Sequence, residues 1–213
     1  MGGGLKKEYR SLAGLPVLLH SLLPFFSLSS LIHTVITLPE GDEAYVVTLL
    51  ESLPPEHRER RSALTLVSGG KERSASVRSG LQAFPHAPDF VLIHDGARPW
   101  ISPRLVASVA EETVRSGACI PVVPSTDAMK GIDEQGVVRS HLSRRLTLAA
   151  QTPQGFEYSR IVDAHRRAAG DGHSYIDDSE IYSRYAGEVT TVKGDPNNLK
   201  ITYPRDLSEG GGV

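Results

Sequence analysis

Short apolar, β-prone runs alternate along this chain with stretches whose apolar positions recur at helical spacing. Ile32–Leu38 reads as a strand ended by Pro39, and Ala63–Val67 as a second broken by Ser68-Gly69-Gly70. Phe90–His94, Ala118–Val123, Leu146–Gln151 and Val189–Val192 continue the series. Helices are expected around Ala44–Glu51, Ser74–Leu81, Ile161–Ala169 and Asp177–Tyr185. The helix opening at Ser102-Pro103 has the sharpest boundaries. Ser102 supplies a side-chain acceptor, Pro103 suits a first turn, and Leu105, Val106, Val109, Ala110 and Thr113 share one face until Gly117 stops it. Such a rhythm predicts an α/β fold, with a mostly parallel twisted sheet, helices on both faces and right-handed crossovers.

The rhythm breaks between Pro124 and Arg145. Ala128–Ile132 and Gly136–Arg139 flank Asp133-Glu134-Gln135, which predicts a β-hairpin arm over 124–145. An isolated hairpin with so few apolar residues is unstable, so the arm is expected to pack on a partner subunit. Leu12–Leu31 is apolar, yet Pro16, His20 and Pro24 interrupt it and leave no membrane span. No signal peptide is read at the start. The whole chain, 1–213, is expected to form one domain.

A formal charge of −2 argues against a general nucleic-acid binder, so any phosphate affinity must be local. One cysteine, Cys119, excludes an intramolecular disulfide and fits a reducing cytoplasm. Candidate chemistry gathers on loops. The run Phe90–Ile93 delivers His94-Asp95-Gly96-Ala97-Arg98-Pro99 to a strand end, where Asp95 is placed to hold a divalent cation and Arg98 to meet a phosphate. Gly69-Gly70 permits close backbone approach, and Arg73, Ser74 and Ser76 follow at a helix start suited to an anion or a base edge. Lys6-Lys7 beside glycines reads either as a triphosphate contact or as a solvated tail. After the last strand, Asp195 offers a second metal or substrate ligand and Lys200 a positive charge. Adjacent His94-Asp95 lacks the further partners of a metal phosphohydrolase, and His20 and His33 read as structural.

Taken in order, Lys7-Glu8-Tyr9, Gly69-Gly70 with Arg73–Val77, His94–Pro99, Asp127–Lys130, Thr152–Phe156 and Asp195–Lys200 resemble the 2-C-methyl-D-erythritol 4-phosphate cytidylyltransferases. The resemblance implies a Rossmann-like nucleotidyltransferase fold, a homodimer joined through the arm, and transfer of a cytidylyl group from CTP to methylerythritol phosphate with Mg2+, in non-mevalonate isoprenoid precursor synthesis. By the same resemblance Lys7 contacts the triphosphate, while Gly69, Gly70, Arg73, Ser76, Ala97 and Arg98 bind the nucleotide. Asp95 holds the metal. Arg144 of the arm binds the acceptor phosphate across the dimer, Lys200 lies on the substrate side, and Asp195 aligns near a substrate-side acid.

Three departures qualify the match. Family members open with a strand and an Ala-Ala-Gly loop carrying an arginine, and neither precedes Lys7 here, so the expectation is a late-assigned start or a fragment whose sheet lacks a central strand. Ala128 and Ile176 stand where threonines are common. These departures keep open ribitol-5-phosphate or another polyol phosphate as acceptor, or a truncated inactive nucleotide-binding homologue.

Overall fold

A computed structural model describes residues 5–203 and 205–209. The glycines at 2–4 and 210–212 lie outside the described residues. Beyond a short hairpin of β1 (Ser11–Leu12) and β2 (Leu15–Pro16) come α1 (Val17–Leu22), β3 (Thr34–Leu38), α2 (Glu43–Leu50), β4 (Leu64–Ser68), α3 (Arg73–Gln82), β5 (Phe90–Ile93), α4 (Pro103–Ser116) and β6 (Ala118–Pro124). The arm holds β7 (Lys130–Ile132) and β8 (Val138–His141), followed by β9 (Leu148–Ala150), β10 (Gln154–Glu157), α5 (Tyr158–Ala168), α6 (Asp178–Tyr185), β11 (Thr190–Lys193) and α7 (Asp206–Glu209).

Local chemistry accounts for the sharp ends. Leu105 N donates to the Ser102 hydroxyl at 3.2 Å, and Gly117 closes α4 at φ 87°, a left-handed conformation that costs a glycine little. At α6, Glu180 N donates to Asp177 Oδ1 at 3.0 Å.

The larger sheet runs β11-β6-β10-β5, with β9 added to β6. Val91 and Leu92 point to opposite faces of it. Val91 joins Leu81, Ala118, Phe156, Ile161 and Tyr182, under α3, α5 and α6. Leu92 and Val192 instead meet Val106, Val109 and other residues of α4. Helices therefore cover both faces, and the α/β class stands.

The expectation of mostly parallel strands is corrected. β11 pairs β6 and β3 pairs β4 in parallel, but β10 runs antiparallel between β5 and β6, and β9 is also antiparallel. Sequence patterning reads the β10 segment as a turn because Gln154 and Gly155 favour strands poorly. Packing overrides that preference. Gly155 is forced by closeness: a Cβ there would lie 2.9 Å from a Leu92 methyl and 3.0 Å from Thr113 Cβ.

β3 pairs only with β4, and β5 only with β10, among the described residues. Both line one cavity of about 570 Å3, closed by Leu18 and Leu22 of α1 and by Val77 and Leu81 of α3. Among the described residues the sheet is thus split in two, and β3 and β5 are each left with one unpaired edge.

Candidate active site

The loop after β5 is the centre of charge. Asp95 has 14% of its side chain exposed and faces the cations of three separate elements: Lys200 Nζ at 3.0 Å, Arg98 Nε at 3.4 Å and Arg73 Nε at 3.5 Å. Burial alone raises the Asp95 carboxyl, but Lys200, Arg73 and Arg98 outweigh it and hold it at about 2, so the carboxylate is ionised.

The strands set this geometry. Gln154 pairs with Ile93, which carries Thr152 alongside the end of β5. Asp95 N donates to Thr152 Oγ1 at 3.1 Å, and the hydroxyl lies 2.9 Å from His94 Nδ1. Burial pushes the His94 imidazole down to about 4, so it is neutral at neutral pH. Its partners then assign the tautomer: Thr152 donates to Nδ1 and Nε2 faces Arg98 O at 3.4 Å. His94 is a bracing residue of the loop.

A second loop locks onto the first. Arg98 Nη1 donates to Asn198 O at 2.8 Å, Asn198 Nδ2 to Thr152 O at 2.9 Å, and Ile201 N to Ala97 O at 2.8 Å. Gln151 Nε2 donates to Asp195 O at 2.8 Å. These bonds bring Lys200 to Asp95. Asp195 stays within its own loop here, its Oδ1 accepting from Asn197 N at 2.8 Å.

Beyond β4, Gly70 N donates to Ser76 Oγ at 3.1 Å, and that hydroxyl bonds Glu72 O at 3.1 Å. A Cβ on Gly69 would come within 2.7 Å of the same oxygen, so the glycines let the loop close over the start of α3. Gly69, Gly70 and Ser76 form one unit, and Arg73 reaches from it to Asp95. Ala97 is buried and lends its carbonyl to the loop clamp.

Two expected residues stand apart. Lys7 sits in a short 3-10 turn and forms no ion pair with Asp95; its charge bears on Asp206. Arg144 is exposed on the arm and touches none of the cluster. Asp178 and His165, both buried and neither among the expected site residues, lie behind Arg73. Asp178 shows in the sequence as the second of two adjacent acids after Ile176, and His165 only as a polar position in a helical stretch.

No group of three or more His, Cys, Asp or Glu side chains suited to a metal ion occurs among the described residues. At the meeting point of Arg73, Arg98 and Lys200, Asp95 offers an ionised carboxylate. That suits Mg2+, which binds through one or two carboxylates when substrate phosphates complete its shell.

Comparison with known proteins supplies the context. A bifunctional enzyme IspD/IspF of Rhodopseudomonas palustris is 39% identical over 212 residues, covering 97% of this chain and 50% of that protein. One from Nitrobacter hamburgensis is 38% identical over 208 residues with the same coverage. The chain therefore spans about half the length of these curated relatives. Among solved structures, 4-diphosphocytidyl-2C-methyl-D-erythritol synthase from Anaerococcus prevotii superposes with a TM-score of 0.86 at 26% identity, over 98% of this chain and 90% of that one. The 2-C-methyl-D-erythritol 4-phosphate cytidylyltransferase from Thermus thermophilus gives 0.76 at 30% identity, over 96% and 91%. The profile of IspD, 2-C-methyl-D-erythritol 4-phosphate cytidylyltransferase, matches residues 1–211, and with loop clusters arranged as above the chain belongs to that family.

Proposed function

We propose that this chain transfers the cytidylyl group of CTP to 2-C-methyl-D-erythritol 4-phosphate, yielding the CDP-linked product and pyrophosphate. The observation that carries the reading is the convergence of Arg73, Arg98 and Lys200 on Asp95 at strand ends of a chain matched by the family over residues 1–211.

In the reaction a phosphate oxygen of the acceptor forms a bond to the α-phosphorus of CTP. The bond from that phosphorus to the bridging oxygen breaks, and pyrophosphate leaves with the electron pair. Catalysis of such a displacement rests on positioning and on stabilising negative charge, and needs no side-chain nucleophile. Gly69, Gly70 and Ser76 present backbone groups to the pyrimidine edge. Arg73 and Arg98 meet the nucleotide phosphates, and Lys200 the acceptor side. Asp95 is the residue that would hold Mg2+, which when bound neutralises phosphate charge. Lys7 and Arg144 join from outside the cluster, Lys7 toward the triphosphate and Arg144 toward the acceptor phosphate of a neighbouring subunit.

We extend the proposal to a homodimer through the arm. Ile132, Val137, Val138 and Leu146 are exposed there, an apolar surface that a second copy would cover. A cytoplasmic setting accords with the single buried Cys119. No helix of the described residues is long and apolar enough to cross a membrane.

The test is pyrophosphate release from CTP with Mg2+, with methylerythritol phosphate and ribitol 5-phosphate offered separately. Release with the former, lost in Asp95→Asn while the fold persists, supports the reading. Preference for ribitol 5-phosphate, or unchanged release in the variant, overturns the acceptor or the metal role respectively.

A further inference from the structure

Arg73 is held from behind. Its Nη1 lies 2.7 Å from Asp178 Oδ2, while its Nε faces Asp95 Oδ1 at 3.5 Å. Asp178 is fully buried, and its other oxygen receives His165 Nε2 at 3.1 Å, with His165 only 1% exposed. A carboxylate is costly to bury, and here it is matched by a guanidinium that itself remains 35% exposed.

Capping does not explain Asp178. That duty belongs to Asp177, whose Oδ1 receives Glu180 N at 3.0 Å. Nor does the neutralisation of Asp95 rest on Arg73 alone, since Lys200 and Arg98 also pair with it. What the pairing does is geometrical. Gln154 Nε2 donates to Asp177 Oδ2 at 2.8 Å, and Gln154 Oε1 accepts from Ser179 N at 3.1 Å, which pins the start of α6 to β10. Because Gln154 is also paired with Ile93, the positions of Asp178 and Asp95 are set by one backbone ladder. Arg73 spans the two carboxylates.

We propose that Asp178, backed by His165, is a positioning residue that fixes the Arg73 guanidinium beside Asp95, so that the nucleotide phosphates meet a preset charge rather than a mobile side chain. An arginine held by a buried acid loses its rotamer freedom before the ligand arrives, which lowers the ordering cost of binding and transfer. The inference rests on the cytidylyltransferase reading only for its effect on turnover; the restraint on Arg73 is a property of the free chain.

The experiment compares wild type, Asp178→Asn, His165→Gln, Arg73→Gln and each of the first two combined with Arg73→Gln. Turnover, calorimetric CTP affinity and the nitrogen-15 signal of Arg73 Nε are read for each, and Arg73→Lys identifies the signal. Expected is a slowly exchanging Arg73 Nε–H in wild type that becomes fast in Asp178→Asn and His165→Gln. CTP affinity should fall at least fivefold and kcat/KM at least tenfold in Asp178→Asn, yet change less than twofold when that substitution is added to Arg73→Gln. An Arg73 signal unchanged by both variants, or equal losses of affinity in both backgrounds, overturns the proposal in favour of general scaffolding. If Asp178→Asn fails to fold, His165→Gln carries the same comparison. Wild type that binds CTP but transfers nothing to methylerythritol phosphate defeats the functional reading alone, since the Arg73 signal still decides this one.

Discussion

Lys200 Nζ lies 3.0 Å from Asp95 Oδ2, although the two residues sit on loops after different strands. The loop clamps built on Asn198, Gln151 and Ala97 make that meeting possible. Lys200→Met should lower kcat/KM at least tenfold, or about 1.4 kcal/mol of transition-state stabilisation, with Lys200→Arg retaining part of it. Steady-state pyrophosphate release measures both, and equal rates in Lys200→Met and wild type contradict the role.

Stability should fall toward acid in two stages. The imidazole of His94 is held neutral by burial, its midpoint lowered from 6.5 to about 4. Between those values the unfolded chain takes up a proton that the native one refuses, so unfolding is favoured as pH drops. That stage is on the order of 3 kcal/mol. Asp95, lowered from 3.8 to about 2, adds a second loss below it. Urea unfolding across pH 3 to 8 should show His94→Gln with a flatter upper stage; an unchanged slope counts against the assignment.

Gly155→Ala should destabilise by about 3 kcal/mol, because the new methyl meets Leu92 and Thr113 inside a well-packed strand pair. Removing the nearest obstructing atom, the Thr113 hydroxyl oxygen, in Gly155→Ala/Thr113→Ala leaves the Leu92 methyl and Thr113 Cβ in the way, so partial recovery is expected. Chemical denaturation of both variants provides the check.

Arg144→Ala should raise KM for the acceptor phosphate far more than KM for CTP, since its charge is exposed on the arm away from the Asp95 cluster. Its effect should vanish when the arm cannot associate, as in Ile132→Glu/Val138→Glu. Sedimentation and kinetics on the same samples test this, and equal rises in both KM values argue against an acceptor contact.

Much of this architecture is legible in the residues themselves. Ser102, Pro103 and Gly117 mark α4 because caps act locally, and the β5 run leads directly into Asp95 because a buried strand end must deliver its polar residues to a loop. The strand at Gln154–Glu157 is not legible, since its place depends on Thr113, Leu92 and Ile93 rather than on its own propensities. Asp178 and His165 are not legible as site residues for a related reason: they meet only when α5 and α6 pack.

The divided sheet has a mechanical consequence. In a continuous sheet, hydrogen bonds would clamp neighbouring strand tips at a fixed interval of about 4.8 Å. Here the tip carrying Gly69 and Gly70 and the tip carrying Asp95 belong to separate ladders, bridged by helix packing and by the outstretched Arg73. No strand hydrogen bond joins these two tips among the described residues, so a nucleotide gripping both would add a link between ladders that the backbone itself does not make.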